Sequence, residues 1–179
     1  VRAILERFPG TVHTGQGVRS VRRDADGITV RTDDGRERSF DAIVLGTHPD
    51  QSLAMLEDPS DDERRLLGAF TYIENETVLH TDARMIPRRP SARGAWNYRV
   101  ADCRAPTPTL TMTYDLNVLQ QLDEPRNYLV TLNRGAEIAE DQIIRRLSYA
   151  HPRYTAASLR AQVELGAIGG ARRTWYCGA

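Results

Sequence analysis

The chain has no lysine, and all 24 of its basic residues are arginine. Arginine stays protonated under physiological conditions, so this segment can supply neither a Schiff-base lysine nor a lysine general base. Cysteine is almost as scarce. The two thiols, Cys103 and Cys177, cannot build a disulfide framework, and their small number points to a reducing cytoplasm. The four histidines, His13, His48, His80 and His151, share no metal-ligand spacing with them, so no metal site is expected. No G-x-G-x-x-G, Walker loop or G-x-S-x-G elbow is found. No apolar run approaches the ~18 residues needed for a transmembrane segment. Net charge is zero, and the arginine pairs are dispersed among acids, which argues against a nucleic-acid partner.

What is present reads as a soluble globular protein, with 40% hydrophobic and 27% charged residues. The first residue is Val1, and Val1, Ile4, Leu5 and Phe8 already fall at helical spacing without an N-cap before them. The last residues run as a strand into Gly178 and stop, so both ends read as cut. A short strand is expected at 11–14, then an antiparallel meander over 18–23 and 27–32 with a hairpin at Asp33-Asp34-Gly35. Asp41-Ala42-Ile43-Val44-Leu45-Gly46-Thr47 is a continuous apolar run, the pattern of a parallel strand covered on both faces. Helices follow at 50–56 and from Ser60, with Ser60 and Glu63 forming a capping box. From residue 70 the texture changes to antiparallel strands at 72–81, 95–100, 109–114, 128–132 and 143–149. A helix at 155–165 and a last strand at 173–177 close the chain.

In open α/β sheets, ligands sit beyond the carboxyl ends of the strands. That places Gly46, Thr47 and the start of the following helix beside a ligand, with a phosphate as one candidate. The run from Val18-Arg19-Ser20-Val21 to Thr47-His48, together with Asn75-Glu76-Thr77-Val78-Leu79-His80, Trp96-Asn97-Tyr98 and Thr174-Trp175-Tyr176-Cys177-Gly178-Ala179, resembles the flavin-containing amine oxidase superfamily. Its bacterial NAD/FAD-binding, amine-oxidase-like subgroup is the best match, over nearly the whole chain. The resemblance implies FAD as cofactor, with Val18, Gly46, Thr47, His48, Gly178 and Ala179 along its binding site. It also implies Asn75, His80, Trp96 and Tyr98 as substrate-cavity candidates, and leaves the catalytic residues open.

The implied fold class is α+β: a fragment of a two-domain FAD-dependent oxidoreductase, with part of an FAD-binding α/β domain and an antiparallel-sheet substrate domain. Residues 1–69 and 166–179 are expected in the FAD-binding part and 70–165 in the substrate domain. The superfamily's amine oxidases carry a lysine near the flavin, on the first long strand of that domain. The matching stretch Ile73-Glu74-Asn75-Glu76-Thr77 has none, which favours carbon–carbon chemistry. Related domains accompany cyclopropane fatty acid synthases, so a modified fatty-acyl chain is the expected small-molecule or lipid-like substrate. The competing reading is a non-catalytic flavin-fold module for binding or partner docking.

Overall fold

The computed structural model describes residues 2–100, 102, 104 and 110–177. The chain divides into two compact units, Val1–Thr71 with Pro152–Ala179, and Tyr72–His151. The first opens on a short helix, α1 (Arg2–Leu5), well short of the expected 1–8, and residues 11–14 form no strand. β1 (Val18–Arg23), β2 (Ile28–Thr32) and β3 (Glu37–Phe40) make the antiparallel meander in that order. Its second hairpin turns at Gly35, whose φ of 81° is the left-handed region that a Cβ disfavours.

β4 (Ile43–Leu45) lies parallel to β10 (Thr174–Tyr176), with Ile43 opposite Thr174 and Leu45 opposite Tyr176. Within the described residues these two strands form a sheet of their own. The expectation of a strand covered on both faces therefore holds for one face alone: Leu45 is buried, whereas Val44 is 63% exposed. Helix α2 (Pro49–Met55) leaves β4 directly, and α3 (Asp61–Leu67) starts with the Ser60–Glu63 capping box that the sequence predicts. The core of this unit gathers Val21 and Ile28 of the meander, Leu45, Leu66 and Leu67 of β4 and α3, and Ala161 of α5 (Ala156–Glu164). Because α5 packs on α3, the return to the first unit comes at Pro152, ahead of the expected boundary at 166.

The second unit is a five-stranded antiparallel sheet. Its strands are β5 (Thr71–His80), β6 (Trp96–Tyr98), β7 (Met112–Asp115), β8 (Leu129–Leu132) and β9 (Ile143–Arg153), in the order β6-β7-β8-β5-β9. A short helix, α4 (Leu116–Gln120), follows β7. Side chains directly opposite one another share a face of a sheet. One face here carries Thr113, Thr131, Leu129, Val78 and His80, none more than 1% exposed. It packs on Met85, Ile86 and Ile138. The other carries Trp96, Tyr98, Tyr114 and Leu79, with Trp96 and Tyr98 more than half exposed.

Candidate functional site

The carboxyl ends of β4 and β10 lie side by side, closed by the Cys177 N–H donating to the Leu45 carbonyl at 3.0 Å. Directly beside them is a cavity of about 300 Å³, at the small end of the range for ligand pockets. Leu45, Leu67, Phe70, Leu165 and Trp175 give it apolar walls, while Thr47 and Cys177 stand at the strand ends and Ser52 on α2. Among the described residues Arg153 is the one charged residue in the lining. The Thr47 and Ser52 hydroxyls are 2.8 Å apart, so the residue after Gly46 is tied to the first turns of α2. The first turn of α2 is itself acidic: Asp50 accepts from the Gln51 N–H at 2.8 Å. The expected phosphate position there is not supported, because α2 has only seven residues and a carboxylate occupies its positive end.

Behind the cavity is a buried ion pair. Arg23 of β1 donates to Glu63 at 2.5 and 2.8 Å, and both side chains are at most 2% exposed. Tyr176, which lines the cavity, donates its hydroxyl to Glu63 at 2.6 Å, and the Ser60 N–H adds a bond at 2.7 Å. Burial pushes the Glu63 carboxyl up, but Arg23, Tyr176 and Ser60 outweigh it and hold it at about 2. Burial and the carboxylate together raise the Tyr176 hydroxyl, so it stays a donor. Arg23 also bonds Asp58, which Arg172 meets from the other side. Meander, α3 and β10 are thereby locked to one another around one carboxylate.

Residues 1–80 match the model of the family described as flavin containing amine oxidoreductase. Solved structures with the same fold include a CLA-producing fatty acid isomerase from P. acnes, at 15% identity and a TM-score of 0.62, over 99% of this chain and 45% of that one. A redesigned putrescine oxidase matches at 10% identity and 0.59, over 97% and 44% of the two chains. A reduced UDP-galactopyranose mutase matches at 12% and 0.56, again over 97% and 44%. The chain thus spans about 45% of the length of the first of these structures. No curated protein matches in sequence. The cofactor of the flavin amine oxidoreductases is FAD.

Set against the FAD of that family, the cavity suits one part of the cofactor and not the rest. Apolar walls at the ends of two parallel strands suit a flat, largely apolar ring. The described residues add no glycine-rich phosphate cradle, and the cavity is too small for a whole dinucleotide. Thr47 is exposed in its lining, whereas Gly46, also exposed, and His48, half-buried as the N-cap of α2, are not among the lining residues. Val18 starts β1 at a bulge and is 42% exposed, so it is not a core strand residue. Gly178 and Ala179 lie outside the described residues. Trp175 and Cys177 are both exposed beside the cavity.

None of the four substrate-cavity candidates lines this cavity. Trp96 and Tyr98 share one face of the second unit's sheet and are exposed at its β6 edge, while Thr77 on the same face and Asn75 two residues before it are buried. His80 is a correction: it is fully buried on the opposite face. Its Nδ1 accepts from the Asp82 N–H at 3.1 Å and its Nε2 faces Thr131 Oγ1 at 2.8 Å. Desolvation pushes it down to about 4 against a weaker upward pull from Asp82, so it is a neutral core histidine. Sequence reasoning missed Phe70, Arg153, Ser158 and Leu165 as lining residues. Their signal was hidden because α5 and the end of β9 were expected in the substrate domain.

Proposed function

We propose that this chain is part of an FAD-dependent oxidoreductase of the amine oxidase/desaturase type, which moves hydride between a carbon substrate and FAD. The observation that carries this reading is the open pair of parallel strand ends at Leu45 and Tyr176 over an apolar cavity, in a chain whose first 80 residues match the family. When bound, FAD supplies the hydride acceptor or donor, and the protein supplies orientation and a dry site. Leu45, Leu67, Phe70 and Trp175 would exclude water from the ring. Val18, Gly46, Thr47, His48, Gly178 and Ala179 would border the cofactor. On the second unit, Asn75, Trp96 and Tyr98 would face substrate.

The substrate we favour is a modified fatty-acyl chain. The absence of lysine removes the residue that the amine oxidases place near the flavin, and one protein of the same fold is a fatty acid isomerase. The first test is the visible absorption spectrum of the intact gene product. Flavin bands, with FAD released on denaturation, are expected, and anaerobic bleaching by acyl lipids but not by simple amines would support the substrate class. A colourless folded protein that refuses added FAD would favour a non-catalytic binding module instead.

A further inference from the structure

Between Ala83 and Val100 the sequence holds five arginines and no acidic residue. Two of the five are neutralised within the second unit, Arg84 by Asp82 and Arg99 by Glu137. Arg88, Arg89 and Arg93 are exposed and have no carboxylate partner among the described residues. Pro87 and Pro90 fix the backbone on either side of Arg88 and Arg89, and Pro90–Ala92 makes one 3₁₀ turn. Bonds to carbonyls hold this shape. The Ala92 N–H donates to the Arg89 carbonyl at 3.0 Å, and Arg93 Nε donates to the Pro87 carbonyl at 2.8 Å.

Trp96, 66% exposed, opens β6 three residues after Arg93, and Tyr98, 52% exposed, closes it. Three residues of chain keep Arg93 and Trp96 within about 11 Å, and strand parity puts Trp96 and Tyr98 on one face. The indole is steadied edge-on by Tyr114, with ring centroids 6.0 Å apart. Asn97 between them donates to the Gly94 and Thr113 carbonyls at 2.7 and 3.3 Å. We propose that Arg88, Arg89, Arg93, Trp96 and Tyr98 form a surface by which the protein docks on an anionic lipid bilayer. The planar fork of arginine meets a phosphate with two bonds at once, and its stem lies along apolar surface. Indole and phenol rings pair an apolar body with a polar tip, and settle where headgroups meet acyl chains. Each unpaired cation beside an anionic leaflet strengthens binding about fivefold. A peptide would find only three residues of open edge on β6, which is short for strand addition. None of the five residues lines the cavity beside β4 and β10, and a bilayer requires no cavity. The docking surface does not depend on the oxidoreductase reading. Where both hold, the bilayer is the source of the fatty-acyl chain that Trp96 and Tyr98 would face.

The test sediments the intact protein with vesicles of phosphatidylcholine alone and of an equal mixture with phosphatidylglycerol. Binding to the mixture and not to phosphatidylcholine is expected, weakening as salt is added. Arg88→Gln with Arg89→Gln removes two charges that make no contact among the described residues. It should weaken binding roughly 25-fold without shifting the melting temperature. Arg19→Gln with Arg160→Gln, the same change of charge on the first unit, should leave binding intact. Brominated acyl chains should quench tryptophan emission in the wild type and much less in Trp96→Phe. No sedimentation with the mixture, undiminished binding after the Arg88 and Arg89 substitutions, or quenching unchanged by Trp96→Phe would each overturn the inference. So would binding to single-stranded RNA or to polyglutamate in place of vesicles. Sedimentation needs no flavin, so a colourless protein would defeat the oxidoreductase reading and leave this surface separately judged.

Discussion

Burying opposite charges costs more than it returns unless each remaining lone pair and proton finds a partner. At Glu63 both oxygens do, through Arg23, Tyr176 and the Ser60 N–H. Glu63→Gln removes the buried counter-charge of Arg23 and leaves it only the more exposed Asp58, so it should cost a large part of the roughly 3–5 kcal/mol of a broken buried pair in urea unfolding. Arg23→Met with Glu63→Leu should recover most of that loss, since well-packed apolar pairs often replace buried ion pairs without penalty. The pH dependence has a definite sign. The Glu63 pKa falls from 4.5 to about 2 on folding, so its contribution is complete above pH 4.5 and lost as pH falls through about 2. His80 acts in a higher window. Its pKa drops from 6.5 to about 4, so the unfolded chain takes up its proton first and stability declines as pH is lowered from 6.5 towards 4. The full effect is on the order of 3 kcal/mol, and acid titration of His80→Gln should lack that limb. A slope between pH 6.5 and 4 that survives the substitution would assign it elsewhere.

At the scale of elements, local chemistry decided what could be read in advance. The Ser60–Glu63 box starts α3 as the sequence predicts, because the signal lies within four residues. Ser60→Ala should cost about 0.5–2 kcal/mol by thermal melting, towards the upper end because Glu63 is also the centre of the buried cluster. Gly35 likewise marked its hairpin through its required φ. Two features were not legible. β9 runs on through Pro152 to Arg153, although proline usually ends a paired strand. It was read as stopping at 149, and with it went Pro152, Arg153 and Tyr154, three lining residues of the cavity. The second is His151, a residue with no signal of its own. It is held by Asn75, 76 residues away, which is in turn held by Asn133, 58 residues from Asn75. Spacing in sequence carries no trace of such a contact.

For the molecule as a whole, chain continuity sets what depends on what. The second unit is one unbroken stretch, Tyr72–His151, whereas the first is assembled from two segments separated by it. The later segment brings Ala161, Ile168 and Tyr176 to the core formed by Val21, Ile28, Leu45, Leu66 and Leu67. It also brings β10, the strand that pairs with β4, and Tyr176, the hydroxyl on Glu63. A chain ended after His151 would lose all three at once. The apolar residues left behind would face water, at about 25 cal/mol for each Å² uncovered, and the Arg23–Glu63 pair would lose part of its cover. Amide hydrogen exchange on that truncated chain should show protection lost in β1, β2, β4 and α3 and retained in β5, β7 and β8. The retained strands keep their neighbours and the Thr113–Thr131–His80 contacts, which lie wholly within the second unit. Protection lost equally in both would show that the units do not fold separately. Protection kept in β4 would show that its pairing with β10 is not what holds it, and that the cavity at their ends has another support.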